Sequence, residues 1–402
     1  MYNYRKIEED LYRIGVSDRK LTLFEAIYPL THGVAYNSYI LTDEKIALID
    51  TVDEHCAKHF FENLKAILNG RNIDYLIIQH MEPDHAGLIQ EVLEKYPNVE
   101  VVCSQKANDM MKQFFNIKES TKFKIIKEND TLSLGKHELH FVAAPMVHWP
   151  EVMITYDSTN KTLFSADAFG SFGSVDGNIS DKEVTIDEAY LDEARRYYTN
   201  IVGKYGVQVQ NVLKKASSLD IKRICPLHGL ILEENIPMFI EKYDKWSKYE
   251  PEEKGVVIAY SSIYGGTENA MEVLATKLAE NGIKNIKMYD TSITHNSYIL
   301  AEMFKYSHIV LAGNTYNNGI FVTMDNLIQS VVAHNLKNRK YAIIQNGTWA
   351  VNCGSAMKEA LLKLGGTEII NEDLTTIKST LQENQTEEVE ALAKKIADSI
   401  NA

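Results

Sequence analysis

The sequence predicts two α/β domains in series, a mixed sandwich of strands and helices followed by a doubly wound parallel sheet. Three observations predict this. The chain has 402 residues, 45% hydrophobic and 24% charged, which is globular composition at a length suited to more than one domain. Nine of its twelve histidines precede residue 230, so the two parts carry different chemistry. Between Lys245 and Gly255 runs KWSKYEPEEKG, charged, with Pro251 and no apolar period, as a linker should be. The predicted domains are therefore 1–249 and 250–402.

In the first part, SYILT and KIALID (Lys45–Asp50), separated by Asp43 and Glu44, predict neighbouring antiparallel strands. From Asp53 to Leu68, Phe60, Leu64, Ile67 and Leu68 fall at helical spacing, and IDYLIIQ (Ile73–Gln79) reads as a buried strand ending at His80. Further strands are expected at Val99–Cys103, Leu139–Ala143, Val152–Tyr156, Thr162–Ser165 and Arg223–Cys225, with helices at Ala86–Lys95 and Glu188–Ala216. Such a mixture predicts an α/β sandwich. In the second part GVVIAY, IKNIKMYD, HIVLAGN, KYAIIQN and a weaker run near Thr367 alternate with helical segments. That is the β-α repeat of a parallel sheet, and five strands suit a flavodoxin-like order whose ligand sits beyond the strands' carboxyl ends.

Acidic residues number 55 against 42 basic, a formal net charge of -13, which disfavours a nucleic-acid partner. No apolar run reaches membrane-spanning length, and MYNYRKIEEDLYRIG has acids where a signal peptide needs an apolar stretch. A cytoplasmic location is expected. The four cysteines, Cys56, Cys103, Cys225 and Cys353, form no C-x-x-C pair, so neither a disulfide framework nor a thiolate metal centre is expected.

The strongest local signal is His80, Met81, Glu82, Pro83, Asp84, His85. Four potential ligands lie in six residues directly after an apolar strand. Pro83 argues against a continuing helix and for a loop that aims alternate side chains to different sides, so that His80 and Glu82 serve one ion, Asp84 and His85 another. His148, Asp167 and His228 follow, each near the end of a strand-like run. Zinc favours His and Cys, whereas imidazoles with several carboxylates offer hard oxygen donors that suit redox-active iron or manganese, and the oxygen-rich set points to iron.

After GVVIAY come Ser261, Ser262, Ile263, Tyr264, Gly265, Gly266 and Thr267, then a helix beginning near Glu268. Hydroxyls, glycines and free backbone N–H groups at a helix start form an anion cradle for a cofactor phosphate. The loop lacks the Gly-Lys-Ser/Thr ending of a Walker loop and is not G-x-G-x-x-G. Two more strand ends carry an aromatic among small polar residues: Asn314, Thr315, Tyr316, Asn317, Asn318, Gly319, and Asn346, Gly347, Thr348, Trp349, Ala350. A flat ring can stack on Tyr316 or Trp349 while amides bond its polar edge. Together the three loops resemble the FMN site of flavodoxins.

The run H-x-E-x-D-H followed by His148, Asp167 and His228 resembles the diiron signature of the flavodiiron proteins. Their first domain resembles a metallo-β-lactamase αββα sandwich, where the usual motif is H-x-H-x-D-H; here Glu82 replaces the second histidine. The resemblance covers essentially the whole chain. It implies His80, Glu82 and His148 on one iron, Asp84 and His228 on the other, and Asp167 as bridge, with His85 a ligand in some members and turned away in others. His32 is a candidate neighbour of the site, while His55, His59, His137 and His140 match no ligand position and are read as surface or packing residues. The resemblance further implies one FMN and two non-haem irons, with the diiron centre itself as catalyst and no separate acid or base. The implied activity is reduction of nitric oxide to nitrous oxide, of dioxygen to water, or both. The resemblance also implies electrons from a separate donor such as a rubredoxin or a reductase, because the C-x-x-C pairs of the rubredoxin that some relatives carry are not found here. A head-to-tail homodimer is implied, with a tetramer as the alternative. Two rival readings are a zinc-dependent hydrolase of the lactamase fold fused to a flavodoxin, and a non-catalytic flavin electron carrier.

Overall fold

A computed structural model describes residues 1–402. The chain divides into two compact units, Met1–Tyr198 with Val207–Tyr243, and Thr199–Gly206 with Asp244–Ala402.

The first unit is built on two sheets. One orders its strands as Arg5–Lys6, Leu11–Arg13, Tyr39–Thr42, Ile46–Ile49, Tyr75–Ile78, Glu100–Ser104 and Lys122–Ile126. The other runs Thr131–Ser133, Glu138–Ala143, Met153–Asp157, Thr162–Phe164 and Arg223–Cys225. Period-2 alternation makes the sandwich: Leu41, Ala47, Ile49, Tyr75, Ile77 and Val102 of the first sheet join Leu139, Phe141, Met153, Phe164 and Cys225 of the second in one apolar cluster. The intervening residues Leu48, Leu76, Ile78 and Val101 are also fully buried, as strands covered by helices on their outer face must be. Each such buried side chain contributes about 1.5–3 kcal/mol. The hairpin Tyr39–Thr42 and Ile46–Ile49 pairs antiparallel as expected.

Two local expectations fail. A short helix, Pro83–Ala86, begins on the proline that was expected to keep the segment a loop. Proline is tolerated at the first helical position, where its missing N–H has no partner to lose. The expected helix Glu188–Ala216 is interrupted: Glu188–Tyr197 ends, Tyr198–Val202 widens to a π turn, Gly203–Tyr205 tightens to a 3-10 turn, and Gly206–Ala216 resumes. Within the second unit, Gly206 lies so close to Ser247 that a Cβ would stand 2.2 Å from its carbonyl oxygen.

The second unit is a parallel sheet in the order Ile286–Asp290, Glu253–Tyr260, Tyr306–Tyr316, Lys340–Asn346, then Glu368–Ile369 and Thr375–Ile377. This is a flavodoxin-like 2-1-3-4-5 order. Helices Gly266–Glu280 and Thr386–Asn401 bury Ala270, Leu274, Leu392 and Ile396 against Val256, Ile258, Val310 and Ile344. No helix of the chain is long and apolar enough to cross a membrane.

Candidate metal centre and cofactor pocket

All seven metal-ligand candidates converge in the first unit. His80 follows the strand Tyr75–Ile78, Asp84 and His85 ride the Pro83 helix, His148 lies between Glu138–Ala143 and Met153–Asp157, Asp167 follows Thr162–Phe164, and His228 follows Arg223–Cys225. Their donor atoms fall into two groups, His80, Glu82, His148 and Asp167, and Asp84, His85 and His228, each within 4.8 Å.

In the first group Glu82 Oε2 stands 3.2 Å from His80 Nε2 and 3.0 Å from His148 Nε2. Asp167 faces both groups. Its Oδ2 lies 3.0 Å from His148 Nε2 and 3.4 Å from His80 Nε2, while its Oδ1 lies 3.1 Å from His85 Nε2 and 3.8 Å from His228 Nε2. Asp84 Oδ2 is 3.3 Å from both His85 and His228 Nε2. His85 is not turned away: its Nε2 stands 3.0 Å from that of His228.

The donor set fits a pair of cations. Both oxygens of Asp84 and Oδ1 of Asp167 are buried without a hydrogen-bond partner, which is costly unless a positive charge meets them. Burial opposes the His148 charge, but Asp167 and Glu82 outweigh it and raise its pKa to about 9. His80 is raised in the same way, against burial, chiefly by Asp167. Burial likewise opposes ionisation of Glu82 and Asp167, yet the surrounding imidazoles hold both carboxyls well below the usual range. A cation would displace the imidazole protons and take the same carboxylates.

Several residues around the centre carry no sequence signal. Glu151 Oε1 accepts from His80 Nδ1 at 2.8 Å. Asp50 accepts the backbone N–H and side-chain amide of Gln79 at 2.8 and 3.0 Å, fixing the turn into His80. The hydroxyl of Tyr197 is buried and unpartnered, its ring 5.3 Å from that of His228. Glu25, on the hairpin Leu23–Phe24 and Tyr28–Pro29, stays exposed at the rim while its carboxyl reaches Glu82. Of the other histidines, His32, His55 and His59 are exposed and His140 is half-buried. His137 is buried between Asp157 Oδ2 at 2.7 Å and Asp10 Oδ2 at 2.9 Å.

The second unit has its own cavity of about 840 Å³, a size suited to a cofactor. It is lined by Ser262, Ile263, Tyr264, Gly265, Gly266 and Thr267, by Asn314, Thr315, Tyr316, Asn317 and Asn318, and by Asn346, Gly347, Thr348, Trp349 and Ala350. Ser379 and Thr380, beyond the last strand, complete it. Two expected residues do not line it. Ser261 is fully buried, its hydroxyl 3.4 Å from Asn314 Oδ1, and Gly319 lies in the short return strand Gly319–Ile320. Below the loops, Thr267 Oγ1 accepts from Asn314 and Asn346 side-chain amides, both at 3.0 Å, tying two strand ends to the first turn of the Gly266 helix.

The cavity fits a flat, phosphorylated ligand. Gly265, at φ 82°, turns the chain into a 15-residue helix whose N-terminus faces the loop. A Cβ on Gly266 would stand 2.1 Å from Ser379 O, and one on Gly347 2.0 Å from Ala350 O, so only glycine keeps these walls. Tyr264 and Trp349 are 97% and 93% exposed, the state of aromatics that await a ring to cover them.

Residues 34–229 match the model of the ODP family beta lactamases. The chain is 30% identical to the nitric oxide reductase of Moorella thermoacetica over 97% of both chains. Among solved structures it resembles the rubredoxin oxygen:oxidoreductase of the anaerobe Desulfovibrio gigas, with TM-score 0.93, 25% identity, and 99% and 98% of the two chains covered. The flavodiiron protein of Giardia intestinalis shares the fold, with TM-score 0.94, 23% identity, and 100% and 97% covered. With a relative 30% identical over nearly the whole of both chains and solved structures of the same fold over the full length, the chain belongs to the flavodiiron protein family.

Proposed function

We propose that the protein reduces nitric oxide to nitrous oxide, dioxygen to water, or both, at a non-haem diiron centre fed through FMN. One observation carries the reading: Glu82 stands where its Oε2 meets two imidazoles, so the centre holds three carboxylates with four imidazoles. That oxygen-rich set suits redox-active iron rather than hydrolytic zinc.

In this reading His80, Glu82 and His148 hold one ion, Asp84, His85 and His228 the other, and Asp167 spans them. Two irons would supply paired binding of a small gas and its electrons, and FMN would accept electrons in pairs or singly and pass them on. The protein's part is to hold the ligands in place, exclude bulk water around His80, His85 and His228, which are fully buried, and offer Tyr197 O–H toward the centre. The loops Ser262–Thr267, 314–318 and 346–350 would seat FMN, with the phosphate at the Gly266 helix and the ring beside Tyr316 or Trp349.

The two sites belong to different compact units. The resemblance to flavodiiron proteins favours a head-to-tail homodimer in which the flavin of one subunit serves the metals of its partner; activity should then fall on dilution in step with dimer loss. The name of the Desulfovibrio relative supports a rubredoxin-like donor. All four cysteines are unpaired, in keeping with a cytoplasmic enzyme.

Anaerobic metal and flavin analysis, followed by NO and O2 uptake on the same sample, tests the proposal. Iron and FMN with rapid uptake are expected; zinc in place of iron, or flavin without uptake under a reduced donor, would overturn it.

A further inference from the structure

The imidazoles of the two ligand groups are backed differently. A metal on Nε2 places the ring proton on Nδ1, and the group accepting that proton sets the ring's orientation and donor strength. His80 Nδ1 donates to Glu151 Oε1 at 2.8 Å. His228 Nδ1 donates to the carbonyl oxygen of Ala35 at 2.9 Å, and His85 Nδ1 is buried without a partner. Of these three rings only His80 hydrogen-bonds a carboxylate through Nδ1.

Glu151 is itself unusual. Its side chain has no exposed surface, Oε1 also accepts the Met81 N–H at 2.9 Å, and Oε2 is buried without a partner. No lysine or arginine pairs with it; its one ionic neighbour is the His80 ring. A carboxylate so buried is compensated when positive charge sits on the far side of that ring, where low polarity makes the attraction strong. Among the ligands themselves carboxylates do not distinguish the two halves, since Glu82 with Asp167 Oδ2 serves one and Asp84 with Asp167 Oδ1 the other; around them, Glu25 stands beside Glu82 and Asp50 faces His85 without bonding its ring.

We infer that Glu151 makes the two halves of the centre unequal: it is the positioning residue that turns His80 Nε2 toward the ion and gives the His80, Glu82 and His148 half the tighter hold on metal and the stronger preference for ferric charge. The inference rests on the diiron reading.

Glu151→Gln isolates the charge, because both side-chain hydrogen bonds of Glu151 go to one oxygen and an amide oxygen in its place keeps them. The variant should lose one of its two irons to a chelator about 10–100-fold faster than the parent, with the other leaving at the parental rate. In a redox titration followed by Mössbauer spectroscopy, one iron should become ferric only at more positive potential. A purely structural Glu151 would leave both readouts unmoved in the glutamine variant, and that result overturns the inference. A second measurement needs no variant: in crystals of the parent depleted to one metal, anomalous diffraction should find the retained ion among His80, Glu82 and His148. Retention among Asp84, His85 and His228 would overturn the inference, as would release of two irons at equal rates. A chain that takes up no iron refutes the diiron reading itself.

Discussion

The metal centre and the flavin pocket solve opposite problems. The first gathers seven ionisable side chains and hides them, with His80, His85 and His228 fully buried. The second has no lysine, arginine, histidine or acid among its lining residues and leaves Tyr264 and Trp349 almost wholly exposed. A multiply charged ion needs formal charges at short range, and burial makes each one count. A phosphate on a helix N-terminus is met by backbone dipoles, which need glycines and space more than charge. The comparison teaches that substitutions should injure the first site through charge and the second through shape.

The largest effect is expected from Asp167→Asn, because Asp167 faces both ligand groups. Iron content should collapse and gas uptake fall by more than about 100-fold, the upper end for residues that merely orient ligands, while FMN content stays at the parental value. Loss of FMN together with iron would break the claim that the sites are built independently.

Gly266→Val probes the other half. Its Cβ would stand 2.1 Å from Ser379 O, and relieving such overpacking typically costs about 1–3 kcal/mol. Flavin affinity should drop roughly tenfold or more, at about 1.4 kcal/mol per decade, with iron uptake unchanged. Equilibrium dialysis against FMN gives the number, and parental affinity would mean that shape does not govern this pocket.

The smallest effect sharpens the electrostatic side. Burial disfavours charge on His137, but Asp157 and Asp10 outweigh it and raise its pKa to about 9. The ring is protonated more readily folded than unfolded, where about 6.5 is usual. Its contribution is therefore fully present below pH 6.5 and is lost as pH rises through about 9. Relative to His137→Gln, the parent should be more stable by about 1–3 kcal/mol at pH 6, with the gap closing by pH 10 in urea melts. A gap independent of pH would mean that His137 acts by packing alone.

Much of both sites was legible because their chemistry is local. Metal ligands are side chains of a few types, so the run from His80 to His85 stands out, and strand ends mark His148, Asp167 and His228. Glu151 was not legible: a glutamate three residues after a ligand looks like any surface acid until burial sets it behind His80. Ser379 and Thr380 escaped because the strand before them, Thr375–Ile377, is only three residues long and polar hydroxyls after it signal nothing specific. The Pro83 helix was missed since proline as breaker and proline as helix starter differ by one position. Likewise the π turn at Tyr198–Val202 leaves no mark on an apolar pattern that continues through it.

That interrupted helix also bears on how such a protein can be taken apart. Eight residues, Thr199–Gly206, group with the second unit although the first unit's sequence lies on both sides of them. Asn200 bonds the carbonyl of Ser297 at 3.2 Å, and the carbonyl of Gly203 accepts from Tyr249 at 2.9 Å. A fragment beginning at Asp244 would leave those partners behind. Swapping the flavin module between relatives, by recombination or by hand, therefore means transplanting two separate stretches of sequence, and a single crossover near residue 250 grafts an incomplete part.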